Sequence, residues 1–231
     1  MSRLCISFIF ILLLSFVVNA QDWPDLKHYQ AANDSLSLPD DDEFRVVFMG
    51  NSITESWSLV QPDFFKDKPY INRGISGQTT PQMLLRFRQD VIQLQPGAVV
   101  ILAGTNDIAG NTGPVSLEMI QNNIISMAEL AKANGIEVVL AALLPAKDFA
   151  WAEGKRPDEK IPLLNKWIEQ YAAEKDFIFL DFFTDLADEE NGLPASYSSD
   201  GVHPNKTCYE VMAVLAEKAV QQAHERFKNR E

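Results

Sequence analysis

Residues 98–103 read AVVILA, an unbroken apolar run near the middle of the chain. A run of this length, rich in β-branched residues, is typical of a strand that is buried on both faces of a parallel sheet. Similar short runs lie before and after it, at Arg45–Met49, Tyr70–Asn72, Glu137–Leu143 and Phe177–Phe183. We therefore predict a sheet of about five parallel strands.

Helical patterns separate these runs. In one of them, apolar residues recur at intervals of three and four, at Leu117, Ile120, Ile124, Met127 and Ala131. This spacing places them on one face of a helix. Another helix is expected to begin at Asn205, because asparagine is a good helix N-cap. The alternation of strands and helices predicts a three-layer α/β/α fold, a flavodoxin-like doubly wound parallel sheet.

The beginning of the chain has the pattern of a secretory signal peptide. Arg3 is the only charged residue there, the apolar run Leu4–Val18 follows it, and small residues surround a cleavage position after Ala20. An uncleaved membrane anchor is the alternative, but this run falls short of the roughly 20 apolar residues that span a bilayer. We expect residues 1–20 to be removed and the protein to be exported, either to the periplasm or out of the cell.

The rest of the chain divides into a short segment and one domain. Residues 21–43 are polar and acidic and predict a lead-in segment on the surface. Residues 44–231 carry the predicted strands and helices without an interior linker or repeat, and they predict a single domain. A glycosylation sequon at Asn205-Lys206-Thr207 would place a glycan beside His203, so we expect a bacterial source.

The charge of the chain excludes several classes of partner. Its formal net charge is −12 at pH 7, and so acidic a surface repels nucleic-acid phosphates and anionic lipids. We expect no nucleic-acid partner and no stable membrane association after cleavage, whereas small esters and neutral glycans remain compatible. The sequence has no histidine pair or cysteine cluster with zinc-binding spacing, so we expect neither a metal nor an organic cofactor.

Residues that could take part in catalysis follow three of the predicted strands. Ser52 follows the first strand within Gly-Asn-Ser-Ile-Thr, and a glycine-containing loop at residues 72–80 follows the second. Asn106 follows the third strand within Gly-Thr-Asn-Asp. Each has a structural alternative: a helix N-cap for the serine, a turn for the glycines and an Asx turn for the asparagine. The carboxyl ends of parallel strands are nevertheless where such folds bind their ligands.

An acid–base pair precedes the last helix. Asp200 and His203 are three residues apart on one turn, so the carboxylate can accept the imidazole Nδ1 proton and leave Nε2 basic. A capping aspartate and a surface histidine are the alternative. Taken with the three loops above, the pair completes the set of groups that acyl transfer requires, namely a nucleophile, oxyanion donors and a base.

Four short motifs in this order resemble the sequence blocks of the SGNH (GDSL-like) hydrolases. They are Gly-Asn-Ser-Ile-Thr, Asn-Arg-Gly-Ile-Ser-Gly-Gln-Thr-Thr, Gly-Thr-Asn-Asp and Asp-Gly-Val-His-Pro-Asn. The resemblance implies Ser52 as the nucleophile, with Asp200 and His203 completing its triad. It also implies an oxyanion hole formed by the Ser52 and Gly77 backbone N–H groups and the Asn106 side chain.

One departure bears on the subfamily. Asn51 stands where the family's Gly-Asp-Ser-Leu motif has aspartate, and variants of this kind resemble the acetylhydrolase-like branch. The resemblance therefore implies an esterase that removes acetyl or other short acyl groups, with carbohydrate esters as the expected substrates. A lysophospholipase or thioesterase is the alternative within the family, and an inactive glycan-binding module is the alternative of another class.

Several other side chains are candidates with weaker grounds. Trp57, Phe149 and Trp151 are aromatic residues that could contact a substrate, or could simply pack beneath loops. Asp181 follows the last predicted strand and could bind substrate or assist, although a buried carboxylate that accepts loop N–H groups is the favoured interpretation. Cys208 falls on the apolar face of the last helix, which predicts a buried thiol without a catalytic role.

Overall fold

The structure is a computed structural model, and it describes residues 22–40 and 42–230. The predicted signal peptide, residues 1–20, lies outside the described residues. Within them the chain forms a five-stranded sheet in which neighbouring strands are all parallel, in the order β2-β1-β3-β4-β5. The strands are β1 (Val46–Gly50), β2 (Tyr70–Gly74), β3 (Ala98–Leu102), β4 (Glu137–Ala141) and β5 (Ile178–Leu180).

Helices cover both faces of the sheet. They are α1 (Gln30–Ser35), α2 (Ser52–Val60), α3 (Thr80–Asp90), α4 (Thr105–Ala109), α5 (Leu117–Ala133), α6 (Pro157–Lys175) and α7 (Lys206–Lys228). Helices α2 and α7 pack on one face, whereas α3, α5 and α6 pack on the other. The predicted three-layer α/β/α fold is confirmed, and the strand order is that of a doubly wound flavodoxin-like sheet.

Alternating residues of each strand belong to two separate cores. Val47 and Met49 of β1 pack beneath α3 and α5, whereas Val46 and Phe48 pack beneath α2 and α7. All the residues of β1, β3 and β4 are buried. Burial on both faces removes the need for a polar alternation, and this is why these strands appear in the sequence as continuous apolar runs.

Two strands end at least two residues before the ends of the apolar runs that predicted them. β5 ends at Leu180, because the carboxylate of Asp181 accepts the backbone N–H of Phe183 at 2.8 Å and turns the chain away from the sheet. Asp181 accepts loop N–H groups as expected, but it is half-buried and not buried. β4 ends at Ala141, and the Asn165 side chain then hydrogen-bonds both backbone groups of Leu143.

The strand order places a topological switch point at the carboxyl ends of β1 and β3. The chain leaves β1 towards one face of the sheet and leaves β3 towards the other, which opens a crevice between the two loops. Ser52 is the first residue of the helix that follows β1, and Asn106 lies in the short helix that follows β3. Within the described part of the chain, no helix combines the length and the apolar character that crossing a membrane requires.

Candidate active site

A chain of hydrogen bonds joins three of the predicted site residues. The Ser52 Oγ lies 3.0 Å from the His203 Nε2, and the His203 Nδ1 lies 2.7 Å from an Asp200 carboxylate oxygen. A carboxylate only accepts hydrogen bonds, so the imidazole proton resides on Nδ1 and Nε2 is left to accept from the serine hydroxyl. The structure thus brings these three residues together across 151 positions of sequence between Ser52 and His203.

Local backbone contacts fix the position of Ser52. Asn51 caps α2 by accepting the Ile53 N–H at 3.0 Å, so Ser52 is the first residue of the helix and not its cap. Gly74 lies directly against this helix, and a Cβ added there would come within 2.1 Å of the Glu55 backbone nitrogen. The close approach of β2 to the start of α2 therefore requires glycine at this position.

The turn that carries His203 is organised by Asp200. One carboxylate oxygen accepts the backbone N–H groups of Val202 and His203, at 2.9 and 2.8 Å, while the other meets the imidazole. The capping role and the catalytic orientation are thus served by the same side chain. Partial burial raises the pKa of Asp200, but the hydrogen bonds from His203, Val202 and Ser198 outweigh it and hold this pKa well below its ordinary value.

Sequence reasoning missed Ser198. Its buried hydroxyl lies 2.9 Å from the Asp200 carboxylate and 2.7 Å from the His203 carbonyl oxygen, so it bridges both ends of the turn. A serine two residues before an aspartate is a local signal of such turns, although it is a common one. Ser198 supports the orientation of the Asp200–His203 pair without a hydrogen bond to Ser52.

The predicted oxyanion donors Gly77 and Asn106 lie in neighbouring segments that are bonded to each other, Gly77 in the loop after β2 and Asn106 in α4 after β3. The Asn106 side-chain nitrogen donates to the Gln78 carbonyl oxygen at 2.9 Å, which leaves its second hydrogen for another acceptor. This bond is not an Asx turn. Gly77 has φ +77, a conformation that favours glycine, and a Cβ there would meet no other atom within 4 Å.

The two backbone N–H groups of the predicted oxyanion hole form no hydrogen bond within the described residues. Among residues 22–40 and 42–230, neither Ser52 nor Gly77 donates its backbone N–H to a protein acceptor. The loop after β2 is also joined directly to the loop after β1, because the Ile75 N–H donates to the Gly50 carbonyl at 3.1 Å. These groups therefore remain available for an oxygen atom in the crevice.

Asp107 has a structural role. Its buried carboxylate accepts the Thr80 backbone N–H at 3.0 Å and the Thr80 hydroxyl at 2.5 Å, at the start of α3. Burial raises the pKa of Asp107 to about 6, although the bonds from Thr80 oppose the change. The carboxylate thus ties the loop after β3 to the helix that follows β2.

A buried arginine, which sequence reasoning also missed, connects the end of β1 to the loop after β2. The fully buried Arg86 of α3 donates to the Gly50 carbonyl at 3.0 Å, to the Gln78 side chain at 2.6 Å and to Asp90 at 3.0 Å. Gly50 lies two residues before Ser52, and Gln78 follows Gly77. One guanidinium group therefore binds both the Gly50 backbone and the Gln78 side chain, on the two sides of the crevice.

Replacing Arg86 with Met is expected to lower the free energy of unfolding by about 3–5 kcal/mol, because it leaves the Asp90 carboxylate buried without its cation. Arg88 is the matched control, since it lies on the same helix but is exposed. Arg88→Met should change stability by no more than about 0.5 kcal/mol. Urea unfolding of both variants measures the difference, and equal stabilities would show that the buried pair contributes nothing.

Two of the three aromatic candidates do not face a substrate. Trp57 is buried against Phe64, with ring centroids 4.5 Å apart, and Phe149 is likewise fully buried. The prediction that Trp57 and Phe149 contact substrate is therefore wrong, and the alternative of packing beneath loops is correct for both. Their rings contribute to the two cores on either side of the sheet.

Trp151 lies at the site. Its side chain is 48% exposed, and its ring centroid is 6.2 Å from that of His203. The Phe149 ring stacks on it, with centroids 5.1 Å apart. The Trp151 indole N–H donates to the Asn111 side-chain oxygen at 3.3 Å. Asn111 also donates to the Gly77 carbonyl at 3.1 Å. The Trp151 ring is therefore fixed to residues 75–79, which we call the oxyanion loop because they include the predicted oxyanion donor Gly77, and it also borders the imidazole.

Cys208 takes no part in the site. Its thiol is fully buried in the core beneath α7, and burial raises its pKa to about 12. A thiol with so high a pKa is not ionised at neutral pH, and the thiolate is the nucleophilic form. The prediction of a buried thiol is confirmed.

Comparison with known proteins gives consistent matches. The sequence model of the GDSL-like Lipase/Acylhydrolase family matches residues 48–211. A crystal structure of a GDSL-like lipase from Bacteroides thetaiotaomicron VPI-5482 is 47% identical, with a TM-score of 0.85, and the match covers 87% of this chain and 98% of that chain.

Curated proteins match over different lengths. Thioesterase 1/protease 1/lysophospholipase L1 of Escherichia coli K12 is 27% identical over 93% of this chain and 90% of its own length. An uncharacterized lipoprotein, YqeF of Bacillus subtilis 168, is 36% identical, but the match covers only 32% of each protein.

The family match includes every residue of the hydrogen-bonded chain from Ser52 to His203 and both predicted oxyanion donors. It also spans all five strands except the first two residues of β1. The resemblance seen in the four sequence motifs is thereby confirmed. The chain belongs to the GDSL-like lipase/acylhydrolase family, a family of carboxylic ester hydrolases.

Proposed function

We propose that this protein hydrolyses short acyl esters, above all acetyl esters of carbohydrates, through an acyl-enzyme intermediate on Ser52. The observation that carries the proposal is the continuous hydrogen-bonded chain from the Ser52 hydroxyl through His203 to Asp200. A serine hydroxyl is a weak nucleophile until a base removes its proton, and this chain supplies the base in the correct tautomer.

The acylation step begins with proton transfer. His203 Nε2 takes the Ser52 proton while the serine oxygen attacks the ester carbonyl carbon, and the carbonyl π electrons move to its oxygen. The imidazolium that forms is stabilised by the Asp200 carboxylate. When the tetrahedral intermediate collapses, the bond to the leaving alcohol breaks, and His203 returns its proton to that alcohol.

Deacylation repeats the sequence with water as the nucleophile. His203 removes a proton from the water, the hydroxide attacks the acyl carbon, and the Ser52 oxygen leaves with the proton that the imidazole returns. The products are a carboxylic acid and the regenerated enzyme. Every step uses water and groups of the chain itself.

The oxyanion is held by three donors. These are the backbone N–H groups of Ser52 and Gly77 and the second hydrogen of the Asn106 amide. All three lie just after the carboxyl ends of neighbouring strands, and Arg86 and the Asn106–Gln78 bond hold these segments together. Donors fixed in advance stabilise the charge that develops in the transition state without a cost of reorganisation.

A carbohydrate leaving group is supported by Trp151. His203 must protonate the leaving alcohol, so that alcohol lies beside the imidazole, and the indole ring borders the same space at 6.2 Å. A half-exposed, rigidly held aromatic face suits the apolar face of a sugar ring. The export expected from residues 1–20 would bring the enzyme to polysaccharides outside the cytoplasm.

A thioesterase or lysophospholipase activity is the second candidate. It is favoured by the 27% identity to thioesterase 1/protease 1/lysophospholipase L1 of Escherichia coli over nearly the whole chain. Such an enzyme accommodates a long acyl chain and needs an apolar groove beside the nucleophile. In this protein the residues flanking Gly77 are Ser76 and Gln78, and Asn111 lies against the same loop.

Acyl-chain length separates the two candidates. We expect kcat/KM on p-nitrophenyl esters to be highest for acetate and to fall through butyrate to octanoate, because the polar residues around Gly77 offer added methylenes no apolar surface. An open apolar groove would instead gain about 0.8 kcal/mol for each methylene buried. A profile that rises towards octanoate would contradict the acetylesterase proposal and support the lipase-like one. Failure to hydrolyse any of these esters would favour an inactive glycan-binding module.

A further inference from the structure

The segment before β1 is bound to the loops that carry the site, although it precedes the part of the chain that matches the family. We call residues 22–36 the N-terminal segment. Three glutamine side chains of the loop after β2 and of α3 donate to its backbone carbonyls. These bonds are Gln78 to Pro24 at 2.7 Å, Gln82 to Trp23 at 2.7 Å and Gln89 to Leu26 at 2.6 Å.

A second set of contacts anchors the helical end of the segment. The Tyr29 hydroxyl donates to the Gly74 carbonyl, and burial raises the pKa of Tyr29 to about 12. The Asn33 side chain donates to Asp90 at 2.7 Å and accepts from Arg73 at 2.7 Å. Because Asp90 also binds Arg86, the segment belongs to the same polar network that holds the loops around Ser52.

A cavity of about 350 Å³ lies between this segment and the oxyanion loop. Trp23 and Asp25 line one wall, residues 75–78 line the opposite wall, and Asn111 and Thr112 contribute to the rim. Gly77, the proposed oxyanion donor, is part of the wall. The cavity therefore borders the oxyanion loop at Gly77.

The chemistry of this cavity favours a hydroxyl-rich ligand over an acyl chain. Apart from Trp23 and the buried Ile75, its walls consist of polar side chains and glycine backbone. The Trp23 side chain is 43% exposed, although its backbone carbonyl is fixed by Gln82. An aromatic face beside carboxylate, amide and hydroxyl groups can stack on a sugar ring and hydrogen-bond its hydroxyls.

The second exposed tryptophan is fixed to the same loop. Of the chain's four tryptophans, Trp23 and Trp151 are the two with large exposed fractions, 43% and 48%. Asn111 connects them, because it lines the cavity of Trp23, donates to the Gly77 carbonyl and accepts the indole N–H of Trp151. The two rings thus flank the oxyanion loop.

We propose that Trp23 and the cavity beside Gly77 form a second sugar subsite, so that the enzyme prefers acetylated oligosaccharides to acetylated monosaccharides. The inference rests on the proposed carbohydrate esterase function. Trp151 borders the sugar that carries the scissile ester, and Trp23 stacks on a further sugar of the same chain. The N-terminal segment is thereby a specificity element, whereas the family-matched residues 48–211 perform the chemistry.

The test compares Trp23→Ala with wild type on three substrates: p-nitrophenyl acetate, acetylated monosaccharides and acetylated di- to tetrasaccharides of xylose, mannose and glucose. We expect Trp23→Ala to lower kcat/KM about tenfold on at least one oligosaccharide series, through a higher KM. Its kcat/KM on p-nitrophenyl acetate and on the monosaccharides should stay within about twofold of wild type. Leu38→Ala is the matched control, because Leu38 is 65% exposed and lies outside the cavity.

The outcomes separate this inference from the proposed function. If wild type hydrolyses acetylated sugars and Trp23→Ala equals it on every oligosaccharide, the subsite is overturned while the esterase proposal stands. If wild type hydrolyses no acetylated sugar, both are overturned. A uniform loss on all three substrates would mean that Trp23 only supports the fold, and would also overturn the subsite. The melting temperature of each variant identifies that last case.

Discussion

Replacing Ser52 with Ala should lower kcat for ester hydrolysis by about 10⁶-fold, and His203→Ala should have an effect of similar size. The hydroxyl and the imidazole act in one step, since the base has no purpose without the nucleophile and the nucleophile is not activated without the base. The Ser52→Ala/His203→Ala double variant should therefore be no worse than either single variant. Steady-state kinetics on p-nitrophenyl acetate measures all three.

Ser58→Ala is the matched control for this experiment. Ser58 lies on the same helix as Ser52, but its hydroxyl donates to the Glu55 carbonyl of that helix at 3.1 Å. Its loss should leave kcat unchanged. If Ser52→Ala keeps more than a few per cent of the wild-type kcat, or if the two single effects add in the double variant, the assignment of the nucleophile and its base is wrong.

Asn106→Ala should lower kcat by about 10²–10³-fold with little change in KM, which corresponds to roughly 2.7–4 kcal/mol for one oxyanion donor. KM is spared because the amide meets a full negative charge only in the transition state. The substitution also removes a hydrogen bond to the buried Gln78 carbonyl. Some loss of stability, about 1–3 kcal/mol, is expected on that account.

Asn123→Ala separates the catalytic loss from the structural one. The Asn123 amide is also a structural donor, to the Thr80 hydroxyl at 3.0 Å, but it lies on α5 away from Ser52. We expect the two variants to lose stability to a similar extent while only Asn106→Ala loses kcat. Should Asn106→Ala retain wild-type kcat despite a large fall in melting temperature, its role is to hold the loop.

Much of the fold and the reacting groups could be predicted from local sequence. The strands are buried on both faces, so continuous apolar runs such as residues 98–103 identified them. Asp200 and His203 are three residues apart on one turn, and this spacing alone brings the carboxylate to the imidazole. Ser52 and Asn106 were predictable because the carboxyl ends of adjacent parallel strands converge at one edge of the sheet.

The aromatic residues could not be placed from sequence, because the direction of a side chain depends on helix phase. Ser52 is the first residue of α2, and five residues later the helix has turned by about 140° beyond a full turn. Trp57 therefore points into the core, where Phe48 and Phe64 surround its ring. Trp151 lies in a loop, and only tertiary contacts decided that it would border His203.

Long-range polar contacts could not be predicted from the sequence either. Arg86 falls within an amphipathic helix and resembles an ordinary charged residue of an exposed face, yet it is fully buried. Its partners Gly50 and Gln78 belong to different loops, so no local pattern connects them. The N-terminal segment was likewise predicted only as a polar lead-in, because its glutamine partners lie 54–63 residues further along the chain.

The central claim is that His203 activates Ser52 as the attacking nucleophile, and covalent trapping with diisopropyl fluorophosphate tests it most directly. Peptide mass spectrometry should find one diisopropylphosphoryl group, on Ser52, with activity lost in proportion to labelling, and the His203→Ala variant should label far more slowly. Complete inactivation with Ser52 unmodified and the label on another residue would contradict the claim.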